Sequence, residues 1–165
     1  MKNRISLRIY LLLMSSLPFL IVFMLGPSSG RPGEFRIINA HEHFQSITSV
    51  PKFLEAMRRN SIVKTVIVGS PEATILSGRK GFYGEEKYNL EVIKIANKYP
   101  EEFIAFPTVN VHDPQKVEKL KGYLKKGGRG LKLYSGHTFF YDMPLDDPQV
   151  LPLYEFCEKN DVPIL

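Results

Sequence analysis

The 165-residue chain is 44% hydrophobic and 24% charged, which places it among globular proteins and excludes the disordered, collagen-like and disulfide-dense classes. Its 22 basic and 17 acidic side chains give +5, but Lys2, Arg4 and Arg8 lie in an acid-free stretch, residues 1–30, leaving 19 against 17 beyond it. That surplus is too small for electrostatic binding of nucleic acid, and the single Cys157 excludes an intrachain disulfide and a thiolate zinc knuckle. A bound metal would have to be held by imidazole and carboxylate.

Ile9 to Leu25 is uncharged over 17 residues, follows a basic stretch and precedes the small, turn-forming GPSSG. Residues 1–30 therefore read as a signal peptide or an N-terminal membrane anchor. Ser28 and Gly30 suit a small-residue cleavage site, and Pro18 with Ser15 and Ser16 weakens a stable span. On either reading the basic N-terminus stays in the cytoplasm and the remainder is extracytoplasmic, secreted or membrane-anchored.

From Phe35 the pattern alternates between strand and helix. The run FRIINA fits a buried strand and leads into His41-Glu42-His43. Ser49 can cap a helix with Pro51 in its first turn, Phe53, Leu54 and Met57 on one face and Asn60 at its end. A second strand, KTVIVG, follows. Tyr88, Val92, Ile95 and Tyr99 recur at helical spacing up to Pro100, and FIAFPTV is the third strand. Asp113-Pro114 opens a helix carrying Val117, Leu120 and Leu124 and ended by Gly127-Gly128; residues 130–134, GLKLY, make a fourth strand. A last helix starts near Leu151, with Leu153, Phe156 and Cys157 buried, and residues 162–165 begin a fifth strand.

Apolar strands separated by single amphipathic helices predict an α/β fold with a parallel sheet under helices. Links from helix to strand are short, whereas residues 69–84 and 135–147 form long links from strand to helix. Long loops thus gather at the strands' C-terminal ends, the edge that carries function in parallel α/β folds. Residues 31–165 hold about four and a half strand-helix units, against about 250 residues in a complete (β/α)8 barrel. The pattern predicts a partial barrel truncated at its C-terminus; the competing arrangement is a flavodoxin-like sheet complete at five strands.

His41 and His43 stand two apart on the first strand, so both imidazoles point the same way and can reach one ion, while Glu42 points to the opposite face. In the fourth strand Lys132 shares a side with Gly130 and Tyr134, and an inward lysine is a positioned charge, a ligand or a solvated group. His137 lies in the following loop beside Gly136, as a substrate contact or an ordinary loop histidine. Asn110 and His112 follow the third strand, where Asp113-Pro114 explains the segment as a helix start. Tyr83 and Phe139 to Tyr141 are aromatic residues at loop tips.

Through INAHEHF, KYPEEFIAFPTVNVHDP, GGRGLKLYSGH and LYEFCEKNDVPIL, in that order, the chain resembles the amidohydrolase superfamily, specifically its amidohydrolase-related group of hydrolases and decarboxylases. The resemblance spans residues 35–165. It implies that His41 and His43 bind a divalent metal, commonly zinc; His137 and Lys132 are the candidate contacts to a small-molecule substrate from their places after and in the fourth strand. It implies metal-activated water acting on an amide, ester or lactone, or decarboxylation in the same group. In such families histidines after the fifth and sixth strands and an aspartate after the eighth complete the site, positions that this sequence does not contain. Some members carry a carboxylated lysine bridging two metals on the fourth strand, where Lys132 lies; in this group it is more often non-bridging. The 165 residues alone are then expected to be inactive, and the rival readings are a non-catalytic fragment or a small-molecule binding module.

Overall fold

Three strands pair in parallel in the order β1-β2-β3, where β1 is Ile37–His43, β2 Ile62–Val68 and β3 Phe103–Phe106. The computed structural model describes residues 36–44, 46–75, 81–134, 140 and 143–165, all within one compact unit, Arg36–Leu165. Between and after the strands come α1 (Val50–Arg59), the single turn α2 (Glu72–Ile75), α3 (Glu85–Lys98), α4 (Lys116–Lys125) and α5 (Leu151–Lys159). The apolar segment 9–25 lies outside the described residues, and no helix among those residues is long and apolar enough to cross a membrane.

The predicted fourth and fifth strands are short stretches of parallel pairing. Thr108 bridges to Lys132, and Leu131 bridges to Ile164. Lys132 N donates to Pro107 O at 2.9 Å, Leu131 N to Pro163 O at 2.9 Å and Leu165 N to Leu131 O at 3.0 Å. Pro107 and Pro163, which have no N–H to donate, keep these ladders short. Pairing therefore proceeds in chain order from β1 outward. A flavodoxin-like sheet would place the first strand between the second and third; here β1 pairs with β2 alone among the described residues, which overturns that alternative.

Alternation along β2 separates two apolar faces. Ile67 packs with Phe103, Ala105 and the buried helix faces (Val92, Ile95, Leu120, Leu153) in the larger core. Val66 and Val68 join Phe106 and Ile104 in a smaller cluster, which belongs to the other face. Gly130 must be glycine there, because a Cβ would stand 2.4 Å from the Phe106 ring. FRIINA is less covered than its composition suggests: Ile37 and Ile38 are 45% and 62% exposed, and among the described residues β1 pairs with β2 on one side only.

Three of the four short links from helix to strand share one device, the link from α3 to β3 being the exception. After α1, α4 and α5 come Ser61 (φ 56°), Gly127 (φ 119°) and Asp161 (φ 51°), each left-handed and each turning the chain back to the sheet. Ser49 stands at the N-cap of α1, but its side chain makes no capping bond. Ser46 Oγ instead accepts from Thr48 N at 3.2 Å and starts a 3-10 turn, Ile47–Ser49, that runs into the helix.

Candidate metal centre at the C-terminal rim

Parallel register decides which way the first-strand histidines point. His43 pairs with Val68 and Glu42 with Ile67. Side-by-side residues of a sheet share a face, so His43 is on the side of the Val66–Val68–Phe106 cluster and Glu42 on the helix side. A cavity of about 310 Å³ at this strand end is lined by both Glu42 and His43, together with Lys52 and Phe53. The register shifts between Asn39 and Glu42, and Asn39 Oδ1 accepts from His41 N at 3.2 Å within that irregularity.

His41 Nε2 and His43 Nε2 lie 3.1 Å apart. Two imidazole nitrogens on one ion, each about 2.0–2.1 Å from it, stand no more than about 4.2 Å apart, so the pair fits a shared divalent cation. Metal binding also needs neutral rings. Burial, then the Lys132 ammonium, hold the His41 pKa below the usual histidine value, with Glu42 opposing. Burial, then His41 and Lys132, bring His43 down to about 4. Both are neutral bases at pH 7. Among the described residues no group of three or more His, Cys, Asp or Glu is placed to hold a metal, so the pair could offer two ligands where a catalytic zinc has three.

Lys132 is half-buried beside these rings, with Nζ 5.1 Å from the Tyr134 ring centroid, and burial lowers its own pKa. Its backbone sits in the ladder from Pro107, which aims the side chain at the same rim as the histidines. His137 lies outside the described residues. Asn110 and His112 take part in the turn into α4: Asn110 Oδ1 accepts from His112 N at 3.0 Å, Asp113 Oδ1 accepts from Gln115 N at 2.7 Å, and His112 Nδ1 is 2.8 Å from Gln149 Oε1. Of the loop aromatics, Phe140 packs edge-on against Tyr134, ring centroids 5.2 Å apart, together with Phe82; Tyr83 is 37% exposed.

Two rim residues had no motif to reveal them. Ser70, fully buried, sits at the end of β2 with Oγ 2.8 Å from His43 Nδ1. Tyr134 donates its hydroxyl to Gly69 O at 3.1 Å and lies 3.3 Å from Ser70 Oγ. The available signal was positional: each lies at the C-terminal end of a predicted strand, as the histidines do.

No protein-family model matches the chain, and no curated protein sequence does. Solved structures do, and they include members of the amidohydrolase superfamily. An uncharacterized TIM-barrel protein from Bordetella bronchiseptica superposes with a TM-score of 0.59 at 20% identity, over 79% of this chain and 54% of that one. A probable 2-pyrone-4,6-dicarboxylic acid hydrolase from Acinetobacter baumannii, with citric acid bound, gives 0.55 at 15% identity over 79% and 48%. The 5-carboxyvanillate decarboxylase of Novosphingobium aromaticivorans, with manganese and a nitrobenzoic acid bound, gives 0.51 at 19% identity over 82% and 51%. The likeness is one of fold, and the chain spans about half the length of the structures it matches.

Proposed function

We propose that this chain carries the first-strand part of a divalent-metal site in an amidohydrolase-type (β/α)8 barrel. His41 and His43 are its ligands, and the whole protein is a metal-dependent hydrolase of an amide, ester or lactone, or a decarboxylase of the same group. The observation that carries this reading is the convergence of two neutral imidazoles, Nε2 to Nε2 at 3.1 Å, on the C-terminal rim of a sheet whose strands pair in chain order. Consecutive parallel pairing is what a singly wound barrel requires, and that rim is where barrel enzymes build their sites.

A bound divalent ion supplies activated water for hydrolysis or polarises a substrate oxygen for carbon–carbon cleavage. The chain's own residues hold and bias the site. The neutral rings keep their nitrogen lone pairs, and the Lys132 ammonium beside them favours an anionic group on a small-molecule substrate. We assign zinc as the ion, because imidazole suits it; manganese, bound in the 5-carboxyvanillate decarboxylase, is the competing metal. His137 is assigned to the substrate side from its place in the sequence. Residues 1–30 are assigned export or membrane anchoring on their charge and hydropathy pattern.

Equilibrium dialysis of the purified chain against zinc and against manganese, followed by elemental analysis, tests the reading. One ion per chain is expected for the wild type, and its loss in both His41→Ala and His43→Ala. Full retention in both variants overturns the ligand assignment.

A further inference from the structure

Ser70 is connected to the metal site on one side and to the rigid end of the sheet on the other. Its hydroxyl is 2.8 Å from His43 Nδ1, on the opposite edge of the ring from the Nε2 that faces His41. The backbone that carries Ser70 has little freedom. Gly69 N donates to Phe106 O at 2.8 Å, and a Cβ on Gly69 would stand 1.8 Å from Asn89 Oδ1 and 3.0 Å from Thr108 N. Tyr134 fastens the same segment from the fourth strand through its hydroxyl bond to Gly69 O.

A serine hydroxyl has one proton to give and two lone pairs to receive. The Ser70 proton has Val68 O within reach at 3.5 Å, and the single Tyr134 hydroxyl proton, shared with Gly69 O, reaches Ser70 Oγ over 3.3 Å. One Oγ lone pair is then available to face His43 Nδ1, which at 2.8 Å is nearer than either of those partners. We propose that Ser70 is a positioning residue: its hydroxyl takes the Nδ1 proton of His43 and so fixes the tautomer and ring plane in which Nε2 is bare and aimed at the space shared with His41. Metal-ligating histidines generally depend on such a partner for the other ring nitrogen. The inference rests on the metal-site reading for its functional meaning, although the tautomer itself is a property of the metal-free chain.

Long-range proton–nitrogen correlation spectra of the full chain, recorded without metal near neutral pH, read the tautomer directly. The wild type is expected to carry the His43 proton on Nδ1, and Ser70→Ala to show a mixture. Titration with zinc chloride alone should then give about 10- to 100-fold weaker binding in Ser70→Ala, with affinity regained in Ser70→Thr. A wild-type His43 protonated on Nε2, or a Ser70→Ala chain that binds zinc as tightly as the wild type, overturns the proposal. A wild-type chain that takes up no zinc overturns the metal reading instead, and the tautomer measurement, which needs no variant, still decides the role of Ser70.

Discussion

The side-chain amide of Asn89 is joined to the backbone of Thr108 at both ends: Oδ1 accepts from Thr108 N at 2.9 Å and Nδ2 donates to Thr108 O at 2.7 Å. Both residues are fully buried. A helix residue thus supplies to the end of β3 the pair of bonds that a neighbouring strand would otherwise provide, and it does so directly under Gly69, which leads into Ser70.

Asn89→Ala leaves two buried backbone groups without partners, each costing about 1–3 kcal/mol. A loss of roughly 2–6 kcal/mol in urea unfolding is expected, and a loss below about 1 kcal/mol would show that the clasp is incidental. Gly69→Ala should destabilise as well, since its Cβ would meet the same amide oxygen.

Ser61 occupies the left-handed region at φ 56°, where a Cβ costs about 1–2 kcal/mol. Glycine removes that strain but adds about 0.5–1 kcal/mol of unfolded-state entropy. Ser61→Gly is therefore expected to stabilise by about 0.5–1 kcal/mol, read as a higher urea midpoint at unchanged slope. A lower midpoint would mean that the serine side chain contributes more than its strain costs.

Asp113 and Lys119 form an ion pair at the start of α4. The hydrogen bond from Lys119, then the one from the Gln115 N–H, hold the Asp113 carboxyl below its ordinary value of 3.8. Because the folded form is the stronger acid, the stabilisation is fully present above pH about 4 and disappears as pH falls through the lower folded value. Asp113→Asn should cost at most about 1 kcal/mol at pH 7, as exposed pairs do. The variant and wild-type stabilities should converge by pH 2; a difference that persists there would place the effect elsewhere.

Cys157 is 1% exposed, and burial pushes its thiol from 9.0 up to about 11. At pH 8 the folded chain then holds roughly 100-fold less thiolate than an unfolded one, and thiolate is the reacting form. Iodoacetamide should label Cys157 at least that much more slowly in buffer than in urea. Equal rates would show that α5 is open in solution.

The alternation of short apolar runs with amphipathic helices is a local property, set by one residue and its near neighbours, and it carried the α/β class, the parallel pairing and the helix faces. The two-residue period anticipated that the His41 and His43 rings meet, Nε2 to Nε2 at 3.1 Å. Local signals fell short at two places: Ile37 and Ile38 are exposed where β1 pairs, among the described residues, with β2 alone, and the Ser49 side chain makes no capping bond where a 3-10 turn capped by Ser46 runs into α1. Strand order, the Ser70–His43 bond across 27 positions, and the Tyr134 hydroxyl reaching back 65 positions to Gly69 O belong to the tertiary structure. Periodicity along a chain fixes the direction of each side chain relative to its own strand, whereas hydrogen-bond partners depend on which strands lie side by side and in what register, and only the folded sheet determines that.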